Sequence, residues 1–325
     1  MQNRLTRLLG IRYPVMQGGM QHVGTADLAA AVSNAGALGT ITALSFDGAK
    51  GLAAEILRCR NITDQPFAVN LSVFPARHPP DYEALVETIA EAGVKIVETA
   101  GTPAVHPVWD RLLAHGITVI HKCTSVRHAL SAERQGVHAI SIDGFECAGH
   151  PGEDDIGGLV LIPAAVDRLR VPVMASGGIA DARGFVAALA LGADGVNMGT
   201  RFCATVEAPI HPAVKQAYLA NSERDTDLLF RIFRNSARVA RNAVSAEVLR
   251  RLSVPGADFA AVADLVQGEK GRALLQSGDL DSGIFWAGQS QGLIHDIPTC
   301  ADLIERMMGE AREIIARRLA AMLPA

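Results

Sequence analysis

The sequence predicts an α/β protein built as a closed (β/α)8 barrel, a TIM barrel, with a smaller helical cap in its C-terminal part. Three observations predict this class. Short apolar runs recur along the chain, helical periodicity fills the intervals between them, and the runs are roughly 20 to 30 residues apart, the length of one strand, one helix and two loops. There are eight runs, at 14–17, 38–41, 67–71, 94–98, 117–120, 139–142, 171–175 and 195–198.

Glycines mark the turns from each helix into the next strand. Gly36, Gly93, Gly136 and Gly192 each stand between the end of a helical pattern and an apolar run. Glycine at this place supplies the left-handed cap that lets the chain turn back. Eight such βα units favour a closed barrel, and a doubly wound open sheet remains the alternative.

The composition and charge of the chain limit the classes of molecule that it is expected to bind. The chain has 325 residues and a formal net charge of −4, which gives no general attraction to nucleic acid or to an anionic membrane surface. We therefore expect small-molecule substrates, no nucleic acid and no membrane, while the oligomeric state stays open. The five cysteines are scattered without any CxxC spacing, so neither a disulfide framework nor a metal site is predicted. The first residues lack the apolar core of a secretory signal, and a cytoplasmic location is expected.

The pattern changes after the eighth run. Residues 211–272 contain no convincing strand and are interpreted as a helical cap, a substrate domain, with 1–210 and 273–325 forming a cofactor-binding barrel. The segment 299–323 has apolar residues at helical spacing and is expected to dock on the barrel wall. Within the cap, a helical spacing would place four arginines on one face, either as a solvated surface or as a contact for a nucleotide phosphate. They are Arg231, Arg234, Arg238 and Arg241.

The polar loop after the sixth run is the strongest candidate for chemistry. The run ends in Asp143, and the following residues include Gly149, His150 and Gly152. Loops that leave the carboxyl ends of parallel strands hold the functional residues of α/β proteins. His150 is therefore a candidate catalytic residue, either a general base or a group that orients a substrate, and a purely structural histidine is the alternative.

Two glycine-bearing loops follow the last two runs and predict a phosphate site. The first contains Gly177 and Gly178, and the second contains Gly199 and Thr200. In barrels these two loops commonly bind phosphate, because glycine lets main-chain N–H groups point at it. A phosphate-bearing cofactor is expected.

Two other strand ends carry candidates. The first run is followed by Gly18, Gly19 and Met20. Glycine here would let a flat ring lie against the main chain, and Gln17 or Met20 would touch the edge of that ring. A simple turn is the alternative. Lys122 stands at the end of the fifth run, and a lysine is costly to bury there without an anionic partner. Lys122 is therefore interpreted as functional rather than as a surface lysine.

An ordered set of motifs resembles a known family. The set consists of MQGGM, FAVNLS, HKCTS, SIDGFECAGHPGEDD, ASGGIAD and NMGTRF. It resembles the nitronate monooxygenase family, formerly called 2-nitropropane dioxygenases, and most closely its bacterial FMN-dependent NADH:quinone reductase branch. The resemblance implies a TIM-barrel flavoprotein with noncovalent FMN and with NADH or NADPH as co-substrate.

The resemblance also implies roles for individual residues. Glycines and Met20 after the first strand would face the flavin, Ser72 and Lys122 would lie near its polar edge, and Asp143 would be a further acceptor on the cofactor side. Gly149 and His150 would lie over the ring. The phosphate would be held by Gly177, Gly178, Gly199 and Thr200. A cation such as Lys122 can stabilise negative charge on reduced flavin.

The implied function is transfer of hydride from NAD(P)H to FMN and then of electrons to a quinone. The alternative within the family is oxidation of alkyl nitronates with O2, and a regulatory flavin-binding protein without turnover is a third reading. One departure is Trp286, where relatives can carry a small hydroxyl residue. It would either narrow the pocket or pack under the cap.

A proline-rich loop after the third strand gives one further hypothesis. Arg77 in this loop would accept the 2′-phosphate of NADPH, with an exposed arginine as the alternative.

Overall fold

Eight parallel strands form a nearly closed barrel in a computed structural model that describes residues 2–73, 79–101 and 105–322. The predicted TIM barrel is confirmed. From β2 to β8 each strand pairs with the next in the chain, and β1 pairs with β8. A parallel bridge between Met16 and Leu38 joins the first two strands. The strands are β1 Val15–Gln17, β2 Gly39–Thr42, β3 Phe67–Val73, β4 Ile96–Gly101, β5 Thr118–Cys123, β6 Ala139–Asp143, β7 Val173–Ser176 and β8 Gly195–Met198.

Helices cover the outside of the barrel. They bury apolar faces against the strands, as in α8, where Phe185 is fully buried. The C-terminal helix docks on the barrel wall, as predicted, and packs against α8 and α2. The barrel helices are α1 Arg4–Leu9, α2 Ala26–Asn34, α3 Gly48–Arg60, α4 Tyr82–Glu91, α5 His106–Ala114, α6 Val126–Arg134, α7 Gly158–Val166, α8 Ala182–Ala190, α9 Thr200–Cys203 and α13 Cys300–Glu313.

The barrel interior has an apolar lower layer. One cluster of buried side chains takes a residue from seven successive positions around the barrel, and Leu5 and Leu9 of α1 close it from below. Because side chains alternate along a strand, the residues two positions later also face the interior, nearer the carboxyl ends. These later positions are polar, including Asn70, Glu98 and Lys122. The lower layer consists of Met16, Leu38, Ala68, Ile96, Ile120, Ala139 and Met174.

The segment after β8 contains strands as well as helices. Strands β9 Thr226–Leu229 and β10 Ala237–Ala240 pair antiparallel, and we call them with the turn 230–236 the hairpin. The helices of this region are α10 Pro212–Ala220, α11 Ala243–Leu252 and α12 Gly268–Ser277, of which α12 runs across the expected boundary at 272. A separate apolar cluster joins the hairpin to α11 through Leu229, Val239 and Val248.

The prediction that 211–272 lacks strands is wrong, and so is the helical face of arginines. Arg238 lies in β10, and Arg231 and Arg234 lie in the turn of the hairpin. The two strands are only four residues long and mix polar with apolar side chains. Such segments lack the aliphatic run that identifies a buried parallel strand.

None of the helices in the described ranges is long and apolar enough to cross a membrane.

Candidate active site

A cavity of about 620 Å³ opens at the carboxyl ends of the barrel strands. Its walls come from the loops after the strands, from the hairpin and from the returning segment around Trp286. Twelve of the residues predicted from the sequence line this cavity, although their individual roles remain predictions. These residues are Gly18, Gly19, Met20, Ser72, Lys122, Asp143, Gly149, His150, Gly177, Gly178, Gly199 and Thr200.

A buried carboxylate that sequence reasoning missed lies directly beneath Asn70, Lys122 and Asn197, which line the cavity. The Glu98 side chain is fully buried. Its Oε2 accepts hydrogen bonds from the Gly19 main-chain N–H at 2.9 Å and from Asn70 Nδ2 at 2.7 Å. Its Oε1 accepts from Asn197 Nδ2 at 2.8 Å and lies 3.5 Å from Lys122 Nζ. Four strands are thereby tied to one carboxylate, which charge-assisted hydrogen bonds stabilise in this buried position.

Lys122 provides a fixed positive charge beside the cavity. Burial alone would lower the pKa of Lys122, but attraction to Glu98 and then to Asp143 outweighs it and raises the pKa above its ordinary value. The ammonium group is therefore protonated throughout the neutral range. For Asp143 burial is the stronger effect. It raises the pKa of this carboxyl above its ordinary value, although the charge of Lys122 and the hydrogen bond with Ser176 act to lower it.

One oxygen of Asp143, Oδ1, is a buried acceptor that faces the cavity without a hydrogen-bond partner from the described residues. An unpaired buried acceptor is costly, so a donor from a bound molecule is expected here. This observation agrees with the sequence-based role of Asp143 as an acceptor on the cofactor side.

The glycines after β1 are required by close packing. A Cβ at Gly19 would collide with the Asn70 side chain, and a Cβ at Gly18 would meet Asn197 Oδ1 at 2.5 Å. The main chain at Gly18 and Gly19 therefore packs directly against the side chains of Asn197 and Asn70. Gln17 does not take part in the cavity: it is fully buried, and its Oε1 accepts a hydrogen bond from the Thr40 N–H at 2.9 Å. Of the two side chains proposed to touch a ring edge, only Met20 lines the cavity.

The two glycine-bearing loops have the features of an anion site. Gly177 and Gly178 have φ angles of +84° and +75°, in the left-handed region that glycine tolerates. Within the described residues, the N–H groups of Gly177, Gly178 and Gly199 donate to no protein acceptor. Successive free N–H groups of this kind bind phosphate.

The loop between β6 and α7, residues 144–157, is held by the hairpin, and we call it the His150 loop. Gly149 and Arg238 exchange main-chain hydrogen bonds of 3.0 and 2.6 Å. The buried Arg238 side chain donates to the Phe145 carbonyl at 3.0 Å, and its guanidinium carbon lies 4.6 Å from the centre of the Phe145 ring. Ser236 donates to both oxygens of Glu153 through its N–H and its hydroxyl. The position of the loop therefore depends on a segment distant in sequence.

His150 and Trp286 share one wall of the cavity. Their ring centres are 6.0 Å apart and the planes are tilted by 40°. Desolvation by the surrounding walls lowers the pKa of His150, opposed by the charge of Glu153. The imidazole is therefore mostly neutral at pH 7. Trp286 lines the cavity and also packs on the apolar cluster of the hairpin, so it both narrows the pocket and supports the cap.

A second histidine on the cavity was not selected from the sequence. Trp109 Nε1 donates to Thr99 Oγ1 at 2.9 Å, and the same hydroxyl lies 3.0 Å from His121 Nδ1. The hydroxyl has two acceptor lone pairs and also donates to the Ile120 carbonyl at 3.4 Å, so it can bond to His121 Nδ1 in either tautomer. Burial lowers the pKa of His121 to about 4, so it stays neutral at physiological pH.

One further prediction falls outside this geometry. Arg77 lies outside the described residues. In the ranges that the structure describes, no group of three or more His, Cys, Asp or Glu side chains is placed to hold a metal ion.

Comparison with known proteins fixes the family. The family model described as nitronate monooxygenase matches residues 2–84 and 73–310. The chain belongs to the nitronate monooxygenase family. It is thus an oxidoreductase of that family, as the motifs indicated.

Individual relatives and solved structures are similar to this protein over nearly the whole chain. The nitronate monooxygenase of Pseudomonas aeruginosa is 33% identical, over 96% of this chain and 100% of that protein. A (3aS,4S,5R,7aS)-5-hydroxy-7a-methyl-1-oxo-octahydro-1H-indene-4-carboxyl-CoA dehydrogenase of Rhodococcus jostii is 29% identical, over 96% of each protein. The structure of FabK from Thermotoga maritima aligns with a TM-score of 0.90 and 34% identity, over 99% of this chain and 100% of that one.

Proposed function

We propose that the protein is an FMN-dependent NAD(P)H:quinone reductase. FMN would accept hydride from a reduced nicotinamide and deliver electrons to a quinone when bound in the cavity. Its binding would be noncovalent. The volume of the cavity and its position at the carboxyl ends of the strands suit a flat, phosphate-bearing molecule.

The residues present fit this cofactor. The N–H groups of Gly177, Gly178 and Gly199 would hold the phosphate, with Thr200 beside them. The unpaired Asp143 Oδ1 would accept a hydrogen bond from the bound molecule. Gly18, Gly19, Met20 and Ser72 would line the remaining contact surface.

Lys122 is the observation that carries the proposal. Its ammonium group is protonated, borders the cavity, and is held against Glu98 with only 22% of the side chain exposed. A fixed cation in a poorly hydrated site stabilises negative charge that develops on a reduced aromatic system. The Glu98 carboxylate is itself held by hydrogen bonds from Gly19, Asn70 and Asn197. It therefore orients the Lys122 ammonium group before any ligand binds.

Nitronate oxidation with O2 is the second candidate, and His150 favours it. Its lowered pKa keeps the imidazole mostly neutral at pH 7, the protonation state of a general base. A base at this wall would serve a neutral nitroalkane, whereas hydride transfer from a nicotinamide requires no proton abstraction by the protein. Similarity to the Pseudomonas aeruginosa enzyme supports the same candidate.

Anaerobic stopped-flow reduction of the FMN-loaded protein separates these functions. NADH, NADPH and an alkyl nitronate are mixed with the protein in parallel, and flavin absorbance is followed. Rapid bleaching by a dinucleotide, followed by reoxidation with a quinone, is expected. Fast bleaching by the nitronate alone would replace the proposal by the second candidate, and no bleaching by any reductant would indicate a binding protein without turnover.

A further inference from the structure

The four arginines of the hairpin region differ in their contacts. Arg231 forms an ion pair with Asp155, Nη2 to Oδ2 at 2.6 Å. Arg241 pairs with Asp227 on the adjacent strand, Nε to Oδ1 at 3.1 Å. The guanidinium of Arg238 is buried against the His150 loop. These three side chains have structural roles.

Arg234 is the exception. Its guanidinium makes no hydrogen bond or ion pair with any residue in the described ranges, and its side chain lines the cavity. It is exposed, in contrast to the buried Arg238 of the same hairpin. The structure thus leaves one cation of the series available to a ligand.

The turn that carries Arg234 is built in an uncommon conformation. Phe230 and Arg234 have φ angles of +61° and +53°, in the left-handed region that costs free energy for residues other than glycine. The turn is tied on both sides to the His150 loop, through the Arg231–Asp155 pair and through the Ser236–Glu153 hydrogen bonds. These contacts hold the turn, and with it Arg234, at the cavity wall.

The acidic groups facing the turn do not neutralise Arg234. Asp155 is paired with Arg231, and both carboxylate oxygens of Glu153 accept hydrogen bonds from Ser236. Asp154 between them is exposed. An anionic ligand approaching from the cavity therefore meets the guanidinium of Arg234.

We propose that Arg234 binds a phosphate group of the co-substrate, at a site separate from the glycine loops that would hold the cofactor phosphate. Guanidinium binds phosphate through paired N–H donors whose fixed geometry matches this group. The phosphate belongs to NADH or NADPH if the proposed function holds. A coenzyme A thioester carries the same chemistry, and the dehydrogenase of Rhodococcus jostii that resembles this chain is named for a CoA substrate.

The test compares Arg234→Gln with Arg168→Gln in FMN-loaded protein. Arg168 is exposed and lies between α7 and β7, at the opposite end of the barrel, so the charge change is the same without a change at the cavity. Flavin reduction by NADH, by NADPH and by phosphate-free dihydronicotinamide riboside gives a Kd for each reductant. Calorimetric titration with coenzyme A runs in parallel.

Arg234→Gln should raise the Kd of at least one phosphate-bearing ligand about tenfold at low salt, and less as ionic strength rises. The Kd of the phosphate-free reductant and all values for Arg168→Gln should stay within twofold of wild type. The ligand that responds, dinucleotide or coenzyme A, identifies the source of the phosphate.

Two results would overturn the inference. One is wild-type affinity of Arg234→Gln for every phosphate-bearing ligand, and the other is an equal loss with the phosphate-free reductant. If wild-type protein is not reduced by either dinucleotide, the proposed function fails instead. The coenzyme A titration then decides the phosphate site, which is supported if binding depends on Arg234 and rejected if it does not.

Discussion

Glu98 Oε1 lies 3.5 Å from Lys122 Nζ, and this contact joins β4 to β5 beneath the cavity. The carboxylate is fully buried, whereas the lysine side chain is 22% exposed. Removing the partner therefore costs the two groups different amounts of free energy. A buried charge without a partner is destabilising by several kcal/mol, while a partly exposed ammonium recovers some hydration.

The first prediction tests this pair by a double-mutant cycle. Glu98→Gln removes the negative charge and replaces one carboxylate oxygen by an NH2 group, which cannot accept the hydrogen bonds that this oxygen received. The free energy of unfolding should therefore fall by about 2–4 kcal/mol. Lys122→Met should destabilise as well, because Glu98 is then buried without its cation. The double variant should lose less than the sum of the two, as measured by urea unfolding. Strict additivity would show that the two charges do not interact.

The second prediction concerns Gly178. A valine there forces a branched side chain into a φ of +75° and presses its Cβ to 3.3 Å from Glu146, beside the N–H groups expected to hold phosphate. Gly178→Val should therefore retain FMN poorly after gel filtration. Gly116→Val is the matched control, because Gly116 has a φ of +66° and open space around it.

Both valine variants should lose about 1–3 kcal/mol of stability from backbone strain. Only Gly178→Val should also lose bound flavin. A full and tightly held flavin complement in Gly178→Val would contradict the phosphate site.

The third prediction concerns His150. In His150→Ala, FMN should remain bound and the rate of flavin reduction by NADH should fall by less than about tenfold, because an orienting group is lost but no proton is transferred to the protein. Oxidation of a neutral nitroalkane should fall about a hundredfold or more, since it needs a base. A preformed nitronate bypasses that step and serves as the control substrate.

A loss of NADH-driven reduction by several orders of magnitude, with FMN still bound, would show that His150 does more than orient the substrate. The two half-reactions must therefore be measured separately.

The fourth prediction concerns pH. Burial, chiefly, lowers the pKa of His121 from 6.5 to about 4. As pH falls below 6.5 the unfolded chain takes up a proton that the folded protein takes up only near pH 4. The stability contributed by neutral His121 is therefore complete above pH 6.5 and declines below it, by about 3 kcal/mol in total.

Urea unfolding of wild type and His121→Phe at pH 7.5 and pH 5 measures this effect. The Thr99 hydroxyl keeps its hydrogen bonds to Trp109 Nε1 and to the Ile120 carbonyl in the variant, which limits the cost of losing Nδ1. His121→Phe should lose less stability between the two pH values than wild type. Equal losses would mean that another group titrates.

The barrel could be predicted from sequence because its strands are buried on both faces. Each of the eight aliphatic runs overlaps an observed strand, and the glycine loops after β7 and β8 line the cavity as expected. Buried parallel strands leave a local signal, since every residue faces apolar surroundings. Positive φ at Gly177 and Gly178 is likewise a local requirement.

Glu98 and the hairpin escaped prediction because their roles depend on partners from distant segments. Glu98 ends an apolar run in the sequence. Its role is visible only in the fold, where Asn70, Asn197 and Lys122 contact its carboxylate. One local signal was present: Glu98 stands two positions after Ile96, on the same side of the strand, where an isolated charge would be costly. The arginine spacing near 238 suited a helix equally well, and only the strand pairing excludes it.

The main-chain bridge between Gly149 and Arg238 has a consequence for biosynthesis. The His150 loop leaves the ribosome well before the hairpin that holds it has been translated, and domains form as the chain emerges. A nascent barrel complete through β8 would therefore carry His150 on an unsecured loop. A premature stop codon between 200 and 226 would yield a barrel whose His150 loop has no strand beside it.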